Sequence, residues 1–344
     1  MKMKISKKYF VLGVLVILSV IASACQPAAA PAPAAEEAPA AEEAPAVEEA
    51  PAAEPEMPHY VFGLVTKTLN NPFWELMHKG ALAVAEENNV EIIYLAPTKA
   101  NNLEEQTRLM DDLITKKVDG IVLVPVDSEG MVPAIERANA AGIPLALANT
   151  RANGGEAITF SAVENYDAMT LVAEYLVEKL GGSGKVVILE GTAGAQTAID
   201  RLAAINDVFA KNPGIEVLAS QTAEFARAKG LEVMENLLQS YPEIDAVIAA
   251  NDEMALGAVE ALDAAGRLEG TMIAGFDGNS DALKAVTDGR ITVTCFQNAP
   301  RQAGDAVQAL LDYLAGKEVP ERIKTEAIII DSTNVADFAS YITQ

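Results

Sequence analysis

Planar polar side chains follow several short apolar runs of the sequence, close to the points where those runs end. Asn71, Asn251 and Asp277 each follow such a run, and Gln297 follows another. Arg201 stands in the predicted helix that follows a fifth run and the glycine-rich turn 191–195. Carboxamide, carboxylate and guanidinium groups can each bond two adjacent hydroxyl groups that lie in one plane. This set of residues therefore suits a neutral ligand that carries several hydroxyl groups.

A pair of aromatic residues, Phe73 and Trp74, lies next to Asn71 in the sequence. Pro72 suits the first turn of a helix and Asn71 suits its N-cap, so a capped helix with a buried aromatic pair is one interpretation. The other interpretation is the wall of a cleft, because aromatic faces stack on the C–H-rich faces of sugars. Trp74 is the only tryptophan of the chain.

Other kinds of chemistry lack the residues that they need. The formal net charge of -24 argues against a nucleic-acid partner, because phosphate contacts need clustered Lys and Arg. Two histidines and two cysteines are too few for a disulfide scaffold or a multi-His metal site, so we expect no metal and no cofactor. Asp200 and Asp277 could form a carboxylate pair, but ion pairing with Arg201 is the simpler account. The glycine-rich turn 191–195 lacks a phosphate-binding motif. We predict that the protein is not an enzyme.

From Tyr60 onwards, short β-rich runs alternate with longer amphipathic segments. This alternation predicts an α/β fold in which helices flank parallel sheets. Eleven strands fit two sheets better than one, so we predict two lobes, with a first crossing near Val163. Ligands bind outside the carboxyl ends of parallel strands, which predicts a cleft with a hinge. The predicted strands are 61–65, 91–95, 120–125, 144–148, 157–161, 185–190, 215–221, 246–249, 272–277, 292–296 and 327–330.

The first 24 residues predict a secretory signal peptide. Four lysines precede an apolar run from Tyr9 to about Ala22, which is short for a membrane span. An uncleaved membrane anchor is the alternative. The run ends in Ile-Ala-Ser-Ala-Cys, which looks like the lipobox of bacterial lipoproteins and implies that Cys25 becomes a lipid-modified N-terminus. An ordinary cleavage site with an incidental cysteine is the other interpretation.

The segment 25–57 predicts a tether between that anchor and a folded domain. It consists almost entirely of Ala, Pro and Glu, with a six-residue unit that repeats. Proline in each unit prevents a continuous helix, and paired glutamates repel one another. We predict an extended spacer without a core of its own.

The folded segment resembles the periplasmic sugar-binding proteins of ABC transporters, in particular the ribose-binding type. The resemblance implies two Rossmann-like lobes that are joined by a three-strand hinge, the fold of type I periplasmic binding proteins. It divides the chain into an N-terminal lobe, 58–163 plus 298–326, and a C-terminal lobe, 164–297 plus 327–344. The most specific matches are the segments 69–73, 229–231, 234–238, 251–257 and 275–278.

The resemblance also implies a set of ligand contacts in this chain. An aromatic sandwich would fall on Phe73, Trp74 and Phe225. Hydrogen bonds to the sugar would come from Asn71, Arg201, Asn251, Asp277 and Gln297.

Three positions depart from the ribose-binding pattern. Val124 stands where the family has a sugar-binding Asn, and Asn149 and Thr150 stand where it has an Asp-Arg pair; Arg151 lies one residue further on. Loss of that charged pair removes charge-assisted hydrogen bonds to the sugar. We therefore expect a pentose other than ribopyranose, a furanose-type sugar or a short polyol.

The resemblance implies an extracytoplasmic, lipid-anchored monomer that delivers its sugar to the membrane permease of an ABC transporter. A ligand-presenting subunit for a chemoreceptor or a sensor kinase is the alternative. A transcriptional regulator of the same fold would need an N-terminal helix-turn-helix, where this chain has a signal and an acidic spacer.

Overall fold

The computed structural model describes residues 58–342. The predicted signal peptide, Cys25, the tether up to residue 57 and residues 343–344 lie outside the described residues. No helix within residues 58–342 is long and apolar enough to cross a membrane.

The N-terminal lobe is built on a six-stranded, fully parallel sheet in the order β11-β5-β4-β3-β1-β2. Helices cover both of its faces. The strands are β1 Tyr60–Val65, β2 Val90–Leu95, β3 Gly120–Leu123, β4 Leu145–Ala148, β5 Thr159–Ala162 and β11 Arg322–Lys324. The helices are α1 Pro72–Glu87, α2 Leu103–Lys116, α3 Val132–Ala140 and α9 Ala299–Leu314.

Strand β3 shows why the central strands of this sheet are apolar. Successive side chains of a strand point to opposite faces of the sheet. Val122 therefore packs with Met77 of α1, whereas Ile121 and Leu123 pack with Met110 of α2 on the other face. A strand that is buried on both faces needs apolar residues at every position, which is what the four residues of β3 provide.

The C-terminal lobe contains a four-stranded parallel sheet in the order β7-β6-β8-β9. Single bridges from Ala274 to Val293 and from Asp277 to Phe296 connect it to the antiparallel pair β10-β12. The strands are β6 Ser183–Glu190, β7 Gly214–Thr222, β8 Ala246–Ala249, β9 Met272–Ala274, β10 Thr294–Phe296 and β12 Ile328–Ile330. The helices are α4 Asn165–Lys179, α5 Gln196–Ala210, α6 Arg227–Ser240, α7 Asp252–Ala264, α8 Ser280–Thr287 and α10 Ala339–Ile342, the last preceded by a 3-10 helix at Val335–Phe338.

The chain passes between the two sheets three times: between β5 and α4, between β10 and α9, and between β11 and β12. The two lobes of parallel strands with flanking helices confirm the predicted fold class. Two details of the strand prediction were wrong. Strand β11 was missed, and β10 and β12 form a separate two-stranded sheet in which they pair antiparallel to each other.

Candidate functional site

A cavity of about 290 Å³ lies between the lobes, at the carboxyl ends of strands from both sheets. This is the place where open parallel sheets bind ligands. Its walls combine aromatic, amide and charged side chains. They are formed by Lys67, Thr68, Asn70, Asn71, Phe73, Trp74, Ala100, Asn101, Asn149, Thr197, Arg201, Glu224, Phe225, Ala226, Arg227, Ala228, Asn251, Glu253, Asp277 and Gln297.

The start of α1 forms one wall. Asn71 is the N-cap, and its Oδ1 accepts a hydrogen bond of 2.9 Å from the backbone N–H of Phe73. This capped turn holds Phe73 and Trp74 edge to face, with their ring centroids 4.9 Å apart. Because the cap uses Oδ1, the Nδ2 of Asn71 is the group that can donate to a ligand. Both sequence interpretations of this segment are therefore realised, since the capped aromatic pair also lines the cavity.

Phe225 stands in the loop between β7 and α6 and forms the aromatic part of the other lobe's wall. Its φ of 59° lies in the left-handed region, which is unusual for a bulky residue. The ring packs directly on Gly191, where a Cβ atom would lie 2.1 Å from the ring atom Cζ. Residue 191 is therefore a glycine because a side chain there would collide with the Phe225 ring.

Arg201 and Asp277 form a buried charged pair at the C-terminal lobe side. Nη1 of Arg201 lies 3.7 Å from Oδ1 of Asp277 and donates to the carbonyl oxygen of Ala250 at 2.6 Å. The guanidinium also stacks on Phe276 at 3.7 Å from the ring centroid. Burial raises the pKa of Asp277 well above its usual range, while the positive charge of Arg201 opposes that shift. Burial also lowers the pKa of Arg201.

Hydrogen bonds within the protein hold the amide residues of the site. Asn251 caps α7, because its Oδ1 accepts from the Met254 N–H at 3.0 Å. Gln297 donates from Nε2 to Oδ1 of Asp277 at 2.6 Å. Asn149 donates from Nδ2 to Oε1 of Gln297 at 3.2 Å, so it meets Gln297 at the crossing between β10 and α9. These bonds fix the rotamers of the amides, which reduces the entropy lost on binding.

Two of the predicted site residues are not among the residues that line the cavity. Val124 is fully buried in the apolar core against α1 and α9, so its side chain does not form the expected apolar wall. Thr150 is also fully buried, and its hydroxyl donates to Oδ1 of Asn149 at 3.0 Å. Arg151 lies outside the lining as well, with Nη2 4.0 Å from Oδ1 of Asp200. The structure brings together the other nine: Asn71, Phe73, Trp74, Asn149, Arg201, Phe225, Asn251, Asp277 and Gln297.

Lys67 is the most prominent lining residue that the sequence prediction missed. It is 2% exposed, and its Nζ lies 6.0 Å from the Trp74 ring centroid and 5.8 Å from that of Phe225. Burial, reinforced by the positive charge of Arg201, lowers the pKa of Lys67 to about 7. Within residues 58–342 its ammonium group has no ion pair and no hydrogen bond. Its position in the sequence could have indicated a site residue, because Lys67 lies two residues beyond the end of β1.

A second missed group is the ion pair of Arg227 and Glu253. Arg227 donates from Nε and Nη2 to the two carboxylate oxygens of Glu253 at 3.1 and 3.0 Å. Such a forked pair is geometrically specific. Because Arg227 also pairs with Asp281 at 2.8 Å, its charge is satisfied within the protein. Among the cations that line the cavity, this leaves Lys67 as the one without a carboxylate partner in the described part of the chain.

The residues most suited to catalysis lie elsewhere. His78 stacks on Tyr94 with centroids 4.1 Å apart, and burial lowers the pKa of its imidazole. Nδ1 of His59 lies 3.1 Å from the Asn89 carbonyl oxygen. Cys295 is buried, and burial raises the pKa of its thiol to about 12, which suits an inert core residue. Residues 58–342 contain no cluster of three His, Cys, Asp or Glu side chains that could hold a metal ion.

Comparisons with known proteins show the family to which the chain belongs. Residues 62–318 match the family model of the periplasmic binding protein domain. The ribose import binding protein of Bacillus subtilis is 37% identical over 264 residues, which cover 77% of this chain and 85% of that protein. The D-allose-binding periplasmic protein of Escherichia coli is 32% identical over 280 residues, which cover 79% and 90%.

The fold is also similar to a solved ABC transporter solute binding protein from Bacillus halodurans with bound myo-inositol. The TM-score is 0.77 at 30% identity, over 84% of this chain and 100% of that chain. The chain belongs to the periplasmic binding proteins, in the sugar-binding, ribose-like group of type I. It is therefore an extracytoplasmic solute-binding protein of the ABC transporter kind and not an enzyme.

Proposed function

We propose that this protein captures a monosaccharide or a short polyol in the cavity between its lobes and delivers it to the permease of an ABC transporter. The proposed ligands are a pentose other than ribopyranose, a furanose-type sugar and a short linear or cyclic polyol. The observation that carries the proposal is the cavity itself, in which aromatic faces and fixed amides from both lobes surround a space of about 290 Å³.

The shape and chemistry of the walls suit a ring or chain with many hydroxyl groups. The face of such a ligand would lie between Trp74 on one lobe and Phe225 on the other. The buried pair of Arg201 and Asp277 offers a charged donor and a charged acceptor to neighbouring hydroxyls. Asn71 adds a donor, and Lys67 adds a further donor that has no hydrogen-bond partner among residues 58–342.

The choice of ligand class rests on the first-lobe side of the cavity. Asn149 lines the cavity there and is neutral, and Thr150 is turned away from it. Lys67 is the cation on this side, and it stands two residues beyond the end of β1. This arrangement differs from the Asp-Arg pair implied by the ribose-binding pattern. The relatives include a xylitol-binding protein of Mycolicibacterium smegmatis, which supports a polyol as one of the proposed ligands.

Binding between two lobes provides the signal to the permease. A ligand that bonds to both lobes favours the closed arrangement by its higher affinity for it. The closed protein then presents both lobes to the permease at once. In this proposal the protein acts as a monomer that is held at the membrane by lipid on Cys25, with residues 26–57 as the spacer.

The test is a thermal-shift panel combined with mass spectrometry of the small molecule that is released when the purified protein is denatured. The panel contains D-ribose, D-allose, L-arabinose, xylitol and myo-inositol. We expect a released polyol or sugar and a clear upward shift for at least one of L-arabinose, xylitol and myo-inositol. A large shift from D-ribose or D-allose alone at micromolar concentration would contradict the proposed ligand class, and no shift from any compound together with no released polyol or sugar would contradict the function.

A further inference from the structure

Helix α5 begins without a capping side chain of its own. Its N-cap residue is Ala195, whose φ of -78° and ψ of 123° are those of an ordinary N-cap but whose side chain has no acceptor. Helices α1 and α7, which also reach the cavity, are capped by Asn71 and Asn251 of the same turn. The first N–H groups of α5 therefore need an acceptor from elsewhere.

Ser128, from the other lobe, supplies that acceptor. Its Oγ accepts a hydrogen bond of 3.0 Å from the Gln196 N–H, and its own N–H donates to the carbonyl oxygen of Gly194 at 3.0 Å. The hydroxyl hydrogen is used within the N-terminal lobe, where Ser128 donates to the Arg151 carbonyl oxygen at 2.7 Å. Ser128 is fully buried by these contacts. Its side chain is thus fixed in one lobe while it caps a helix of the other.

The turn before α5 is shaped to receive this contact. Gly194 has a φ of 86°, and a Cβ atom at this position would lie 2.0 Å from Oδ2 of Asp127. Asp127 is itself held in place, because its Oδ1 accepts from the N–H groups of Glu129 and Gly130 at 3.0 and 2.6 Å. Only a glycine allows the two lobes to approach this closely here.

Helix α5 carries part of the cavity wall, namely Thr197 in its first turn and Arg201 one turn further on. We propose that Ser128 is a positioning residue, whose cap on α5 forms only when the lobes close and so couples closure to the placement of Arg201. Because the cap exists in the closed arrangement alone, its free energy adds to that of ligand binding. The inference goes beyond the proposed function and requires no particular ligand.

The test compares Ser128→Ala with Asn212→Ala. The second variant removes a bond at the opposite end of the same helix, where Nδ2 of Asn212 donates to the Val208 carbonyl oxygen at 2.8 Å. The probe is an equimolar mixture of D-ribose, D-allose, L-arabinose, xylitol and myo-inositol, titrated against the wild-type chain and each variant.

For Ser128→Ala we expect the midpoint of the titration to rise about 3- to 30-fold, the range that loss of one helix cap produces. Loss of the bond to Arg151 affects open and closed protein equally, so it cancels from the midpoint. Asn212→Ala should lower the melting temperature and leave the midpoint in place.

A third variant separates the link between lobes from simple helix capping. Adding Ala195→Ser to Ser128→Ala gives α5 a cap from its own turn, in both open and closed protein. Compared with Ser128→Ala alone, we expect the double variant to have a higher melting temperature and an equally high titration midpoint. A midpoint for Ser128→Ala within about twofold of the wild type, an equal rise for Asn212→Ala, or full recovery of the midpoint by Ala195→Ser would each overturn the proposal.

Binding of the mixture also separates this proposal from the proposed function. If the wild-type chain does not bind the mixture, the proposed ligand class fails. The interlobe cap is then tested without ligand, by hydrogen exchange of the Gln196 amide. Because the cap forms only on closure, we expect equal exchange in Ser128→Ala and the wild type, and faster exchange in Ser128→Ala would show that the cap exists without closure and would overturn the proposal.

Discussion

Asp277 and Arg201 lie side by side, so that the charge of each compensates the buried charge of the other. Replacing Asp277 with Ala should weaken binding of the tightest compound in the panel by about 2 kcal/mol or more, because ligand hydroxyls lose a charged acceptor and Arg201 is left buried without its counter-ion. Isothermal titration measures this change. Asp263→Ala is the matched control, since Asp263 forms an exposed pair with Arg290. Equal affinities of the Asp277→Ala and Asp263→Ala variants would contradict the assigned site.

The burial of Lys67 predicts that ligand binding releases protons. Burial lowers the pKa of Lys67 in the structure from the ordinary 10.5 to about 7. We expect Lys67 to reach water when the lobes open, so at pH values between 7 and 10.5 the closed form should hold fewer protons than the open form. Binding at pH 8.5 should therefore release protons and become tighter as the pH rises from 7 towards 10. Titrations in two buffers with different ionisation enthalpies measure the release, and Lys67→Met should abolish it. Identical heats in both buffers for the wild type would show that Lys67 is not desolvated on closure.

The residues of the site show what a sequence can predict at this scale. Asn71, Arg201 and Asp277 were predicted because polar residues near strand ends meet at one edge of a parallel sheet. The same rule covers Lys67, but a lysine between two threonines resembles a solvent-exposed residue, and its burial depends on the closure of the second lobe. Val124 was misplaced because the side-chain direction at a strand's end depends on the pleat, which motif matching does not give.

At the scale of elements, the strand that sequence patterns missed contributes to the hinge. Strand β11 has the sequence Arg-Ile-Lys, which is too short and polar to stand out as a strand. Arg322 of this strand donates to the carbonyl oxygens of Phe160, Ala162 and Val163 and pairs with Glu164 at 3.0 Å. Its guanidinium thereby joins the third crossing to the first. These are contacts between residues 158 or more positions apart in the chain, which local propensity cannot reveal.

We expect Arg322→Met to destabilise the domain by about 2 kcal/mol, because buried carbonyl groups at the first crossing lose a charged donor. Urea unfolding measures the free energy. Lys324→Met is the control, since Lys324 is on the same strand and contacts the same Glu164 but is largely exposed. Equal stabilities of the two variants would show that Arg322 contributes no more than a surface ion pair does.

At the scale of the whole molecule, the alternation of strands and helices was enough to predict two lobes with a cleft between them. The pattern could not give the relative placement of the lobes. That placement depends on the Ser128 contact with the start of α5 and on the bond of 3.1 Å from Asn101 to the Glu224 carbonyl oxygen, both of which join distant parts of the chain. The acidic composition of the chain does not extend to the cavity, whose lining contains three cations and three carboxylates.

The central claim is that a polyhydroxylated ligand binds between the lobes against Trp74. Since Trp74 is the only tryptophan and lines the cavity, its fluorescence reports on this position directly. We predict a saturable change in its emission on titration with the panel compound that gives the largest thermal shift, with a midpoint equal to the affinity from calorimetry. An unchanged spectrum at saturation would contradict the claim.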